Sequence, residues 1–171
     1  MKKSIVLISV IILSVGISWG QKYAFVDTEY ILNNIPSYKA AQDKLNTLSK
    51  QWEKEISDKY AEIDKLYKAY QNEAVLLTPE MKKKRENEII SKEQAAKDLQ
   101  KKYFGPEGDL FKKREELVKP IQDEVYNAVK KLAVEGNYAV IFDTAGGPVF
   151  LYTNPRYDLS DQVLKQMGYK E

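Results

Sequence analysis

Two carboxylates close two short apolar runs: Asp27 follows Tyr23-Ala24-Phe25-Val26, and Asp143 follows Tyr138 to Phe142. Paired carboxylates at strand ends are one arrangement that general acid–base catalysis uses. Here such a pair has nothing to work with. The chain contains no His and no Cys, so the commonest metal ligands, nucleophiles and general bases are missing. Without Cys there is also no disulfide and no thiolate zinc site. No Gly-rich phosphate loop ending in Gly-Lys-Ser/Thr occurs. We therefore expect neither an enzyme nor a cofactor, and Asp27 and Asp143 read as turn-forming strand ends. The remaining candidates would act by binding. Lys82-Lys83-Lys84-Arg85 is a basic run that would suit an anionic surface. Trp52, Tyr60, Tyr67, Tyr70 and Tyr103 are aromatics that would grip apolar segments of a partner.

All of these binding candidates fall in one stretch of helical character from Ser37 to Lys119. Its first half carries apolar side chains at Ala41, Leu45, Leu48, Trp52, Ile56, Tyr60, Ile63, Tyr67, Tyr70, Ala74 and Leu77. The mean step is about 3.6 residues, which draws one seam along a helix. Three steps of four between Leu48 and Tyr60 make a stutter, where local unwinding is expected. Thr78-Pro79-Glu80 reads as the start of a second helix, with a capping hydroxyl, a Pro preset for the first helical position and an acid at the positive dipole end. The chain thus turns back near 77–79. The return arm has a thinner seam through Met81, Ile89, Ala96, Leu99, Tyr103, Leu110, Leu117, Ile121, Val125, Ala128 and Leu132. Phe104-Gly105-Pro106-Glu107-Gly108 interrupts it, and Gly105, Pro106 and Gly108 are expected to form a kink or hinge. The aromatics share the spacing of the seam, so packing between the helices and contact with a partner are both open. For the basic run, a solvated helix face competes with an anion contact.

The two ends of the chain complete the design. Lys2 and Lys3, an apolar run from Ile5 to Val15 and Ser18-Trp19-Gly20 follow the order of a secretory signal peptide, residues 1–20. The whole chain has 27 basic and 25 acidic residues. Removing Lys2 and Lys3 leaves 25 against 25, and a neutral product argues against a general nucleic-acid binder. Residues 21–37 and 120–171 are expected to form a small body, with the helical arm of residues 38–119 inserted between its first two strands. Tyr138 to Asp143 reads as a strand buried on both faces, and Val149-Phe150-Leu151-Tyr152 as a strand returning from a turn. Such a body is marginal alone and offers unpaired strand edges. Self-association through Tyr23, Phe25, Val26, Val140, Ile141, Phe142, Val149, Phe150 and Leu151 is the expected remedy. The class is α+β.

The order of these elements, together with Tyr23-Ala24-Phe25-Val26-Asp27 and Asp161-Gln162-Val163-Leu164-Lys165-Gln166, resembles the Skp/OmpH family of periplasmic chaperones. Phe104 to Arg114 is similar to a Bacteroidetes-type branch of it. The resemblance implies a homotrimer with a β-barrel body and three long hairpins around a cavity. It also implies ATP-independent holding of unfolded outer-membrane β-barrel proteins in the periplasm. Well-known members are strongly basic and have a cationic cluster proposed to bind lipopolysaccharide. In this neutral chain the nearest candidate is Lys82 to Arg85. Two other readings stand beside the holdase. One is a coiled-coil structural or adaptor protein, and the other is a binder of anionic lipid surfaces through the tip.

Overall fold

The computed structural model describes residues 21–147 and 150–170; the expected signal segment and Val149 lie outside them. Strand β1 (Lys22–Val26) leads into helix α1 (Thr28–Asn33), then α2 (Pro36–Glu73), α3 (Pro79–Phe104), α4 (Asp109–Glu135), β2 (Tyr138–Asp143), a 3-10 turn (Pro155–Tyr157) and α5 (Ser160–Gln166). The two strands pair in parallel, Tyr23 with Val140 and Val26 with Asp143, with a register shift after Lys22. Parallel pairing is possible because the chain makes a crossover between them, and here that crossover is the whole arm.

The body buries one face of this sheet. Ala24 and Val26 point inward and join Ile31, Ile35, Val125, Val163 and Leu164 in the core. Tyr138 and Ile141 pack against the same cluster. The expectation that β2 is buried on both faces fails: Val140 and Phe142 are exposed. Helix α4 packs on the inner side of β2, where only Tyr138 and Ile141 are partly buried, and the strand is covered on one face. The expected third strand is also absent at Phe150 to Tyr152, where Leu151 and Tyr152 stand out in solvent. Phe150 instead lies over the outer face of the sheet. The free edge of β1 is taken by Asp158 and Leu159, whose amide donates to the Phe25 carbonyl at 2.8 Å.

The arm is a hairpin. Helix α2 has 38 residues, about 57 Å at 1.5 Å per residue, with Pro36 in its first turn where no donor is lost. It ends at Glu73 rather than Leu77, and Ala74 to Leu76 form the turn. Thr78 Oγ1 accepts from the Met81 amide at 3.3 Å and Pro79 opens α3. The return arm is two helices, since α3 stops at Phe104 and α4 begins at Asp109. Helix α4 passes through Pro120 and buries Val118, Ile121, Val125 and Ala128.

Candidate functional site

The outer face of the sheet is a continuous aromatic patch. Phe25 lies 5.7 Å from Phe142 and 5.3 Å from Phe150 between ring centroids, and Phe142 and Phe150 are 5.6 Å apart. Tyr23 adjoins Phe25 at 6.2 Å and Tyr157 at 5.6 Å. The residues named from sequence for association therefore divide. Tyr23, Phe25, Val140, Phe142 and Phe150 share this face; Val26 and Ile141 face the core; Leu151 is fully exposed. Tyr157 was missed. Its signal was the Asn154-Pro155 turn, in which Asn154 Oδ1 accepts from the Arg156 amide at 3.0 Å and brings the ring back over β1.

The strand-end aspartates act as caps. Asp27 Oδ1 accepts from the Tyr30 amide at 2.8 Å and so caps α1, while the Asp27 amide donates to Ser160 Oγ at 2.8 Å. Asp143 accepts from the Thr28 amide at 3.2 Å, Thr28 Oγ1 at 2.7 Å and the Ala145 amide at 3.0 Å. Partial burial pushes the Asp143 carboxyl up. The hydrogen bonds from the Thr28 hydroxyl and from the amides of Ala145, Thr28 and Thr144 outweigh it and hold the group below the usual carboxylate range. Asp27 Oδ1 is spent on a backbone amide, and Asp143 on backbone amides and the Thr28 hydroxyl.

On the arm the five aromatics separate into two sets. Trp52 stacks on Tyr103 with centroids 4.7 Å apart and planes 10° apart, and meets Phe104 edge-on at 6.3 Å. Tyr103 Oη donates to Glu55 at 2.9 Å, and Tyr70 Oη donates to Glu86. These three pin the two helices together. Tyr60 and Tyr67 do not. They are 39% and 49% exposed, because the seam runs through Ile56, Ile63, Leu66 and Tyr70. At about 100° per residue both rings fall to the same side of Ile63, and Glu62 falls to the other. Glu62 is bound there by Lys92 at 2.7 Å, and that hydrogen bond and charge hold its carboxyl below the usual range. On α3, Lys92 and Ile90 fall to opposite sides of the buried Ile89. Ile90, also exposed, therefore shares the tyrosine side.

At the tip, Val75 and Leu76 are 91% and 86% exposed. Lys83 and Lys84 point to solvent, Lys82 is half-buried and Arg85 pairs with Glu88 at 3.4 Å. The apolar pair escaped the sequence reading because the seam was carried on to Leu77. At the break in the return arm, the Gly105 amide donates to the Lys101 carbonyl at 2.8 Å and the Gly108 amide to the Gly105 carbonyl at 2.9 Å. Among the described residues no cluster of acidic side chains has the make-up of a metal site, and no helix is long and apolar enough to cross a membrane.

A long hairpin on a half-covered two-stranded sheet makes this an α+β protein. The model of the OmpH-like outer membrane protein family matches residues 22–167, and the chain belongs to that family. It is 28% identical over 167 residues to an uncharacterised protein of Aquifex aeolicus (strain VF5), covering 98% of this chain and 96% of the other. In fold it is similar to a crystal structure described as that of an OmpH-like outer membrane chaperone from Caulobacter crescentus CB15. That match has a TM-score of 0.68 at 13% identity and covers 85% of this chain and 83% of the other.

Proposed function

We propose that this protein is an ATP-independent periplasmic holdase, a homotrimer that binds unfolded outer-membrane β-barrel proteins and keeps them from aggregating. Family membership supports a chaperone role. The observation that carries the finer reading is the apolar surface left uncovered on the sheet face and, through Tyr60, Tyr67 and Ile90, on one flank of the arm, two of several places where large apolar side chains are exposed. The sheet face is large and aromatic, and a parallel pair is normally covered on both sides, so a second copy of the same patch is its natural cover. The arm surface is different. Tyr60, Tyr67 and Ile90 are separated by charged residues, and such sparse contacts bind an extended chain weakly at each point. Several arms around one client would add these contacts at high effective concentration, while each stays easily broken. Trp52, Tyr70 and Tyr103 serve the seam of the hairpin. Export through residues 1–20 would place the protein among such clients.

The test is light scattering as a urea-unfolded outer-membrane β-barrel protein is diluted, with and without this protein and without nucleotide. Suppression near one trimer per client is expected. Unsuppressed scattering from a well-folded oligomer would move the assignment to a spacer or adaptor.

A second reading rests on the tip, where Val75 and Leu76 are exposed in the turn and Lys83 and Lys84 are exposed in the first two turns of α3. Apolar side chains next to cations suit an anionic lipid surface. Sedimentation with anionic vesicles that is lost at high salt would support it; salt-independent or absent binding would remove it.

A further inference from the structure

We propose that Phe104 to Asp109, the break in the return arm, is a rigid bracket that joins arm and body into one lever. Its glycines are there for space. Gly105 has φ −65° and ψ 169°, and Gly108 has φ −70° and ψ 176°, backbone conformations open to any residue. A Cβ on Gly108, however, would lie 2.7 Å from the Tyr103 carbonyl oxygen and 2.9 Å from both the Gly105 nitrogen and the Lys102 oxygen. A Cβ on Gly105 would collide with the Lys101 carbonyl oxygen. These are backbone atoms of one tight turn and cannot step aside cheaply. Gly108 is buried in that turn.

The bracket is braced from both sides. Helix α3 is fastened to α2 in its last turn, where Trp52 stacks on Tyr103 and meets Phe104, and where Tyr103 Oη holds Glu55. The first turn of α4 is fastened by Leu110, which packs against the hydrophobic cluster that runs from the body into the base of the arm through Ala41, Leu45 and Val118. Lys102 Nζ spans the break to Asp109 at 3.9 Å. Above all, α2 continues unbroken past the joint and packs against both α3 and α4. Rotation at the break would have to bend this helix as well, so α2 acts as a splint. Opening of the arms then comes from the interface between bodies or from the outer part of the hairpin. The break lets the return chain change direction while its seam stays on α2.

The experiment is a distance measurement between spin labels. The chain has no Cys, so Lys97→Cys with Lys119→Cys places exposed labels on either side of the break. Lys44→Cys with Lys65→Cys gives a control pair within α2, and unlabelled chain in excess removes distances between copies. We expect the distribution across the break to be as narrow as the control, and to stay in place when a urea-unfolded β-barrel protein is added. A distribution clearly broader than the control, or one that shifts on addition, overturns the proposal. The width of the distribution against the control pair is read without any client, so that half of the test stands apart from the holdase test. The paired change Gly105→Ala with Gly108→Ala should lower Tm by at least about 3 °C and broaden the distribution. An unchanged Tm and width would overturn the role given to the glycines. Should that variant fail to fold, the native-backbone distances still decide.

Discussion

The ring of Trp52 lies flat on that of Tyr103, 4.7 Å away, and the two residues are 51 positions apart on opposite arms of the hairpin. An offset stack of this kind adds roughly 1 kcal/mol to the apolar area it covers. Tyr103 is also fixed through its hydroxyl to Glu55, which raises the pKa of the phenol by favouring its protonated, donating form. Trp52→Ala is therefore expected to cost about 2–3 kcal/mol, somewhat less than a fully buried Trp. Urea unfolding followed by circular dichroism at 222 nm should show the lowered midpoint. A midpoint within error of the parent would mean that the stack contributes little.

Tyr60 and Tyr67 should behave in the opposite way. Both are exposed on the flank away from the Glu62–Lys92 pair, and exposed substitutions usually stay within about 0.5 kcal/mol. We expect Tyr60→Ser with Tyr67→Ser to leave the unfolding midpoint in place and to weaken suppression of client aggregation several-fold. Full suppression by this variant would remove the flank from the client surface.

The contrast between these aromatics marks how far the sequence could be read. The hairpin was legible because Thr78-Pro79-Glu80 is a local signal and because apolar residues recur at helical spacing. The parallel sheet was only partly legible: β1 and β2 announce themselves by composition, but their register and single covered face depend on where distant helices pack. Which aromatics lie in the seam was not legible. A step of four from Ile56 to Tyr60 and a step of seven to Ile63 both continue a helical stripe, and only the partner helix decides between them. Tyr157 joins the aromatic face through a turn whose direction no periodicity records. Asp27, not Thr28, caps α1, since both residue types suit the position and the geometry of the strand end selects one.

The Asp143 carboxyl ties the end of β2 to the start of α1, and its pKa is lowered from 3.8. Because the folded value lies below the unfolded one, the link adds stability that is fully present above the unfolded pKa. That stability is lost as pH falls through the folded pKa. Stability should thus decline below about pH 4, with part of the slope due to this group. In Asp143→Asn that part of the slope should vanish, while the variant is already less stable at pH 7. Equal pH dependence in parent and variant would assign the acid loss to other carboxylates.

The aromatic sheet face yields the sharpest test of assembly. Phe25, Phe142 and Phe150 touch one another across the outside of the sheet, and the core on its other side is built from Ala24, Val26 and Ile141. Inward and outward residues alternate along each strand, so the outer face can be changed with little effect on the core. Phe142→Arg puts a charge at the centre of the patch. If copies associate there, that charge would be desolvated without a partner, which is costly. Light scattering coupled to size exclusion should show the parent as an oligomer at micromolar concentration, and the variant as a monomer that retains its helical circular dichroism. A parent that is already monomeric would remove the association proposal altogether. An oligomeric parent with an equally oligomeric Phe142→Arg variant would move the interface elsewhere, for which the uncovered Leu151 and Tyr152 are the next surface to change.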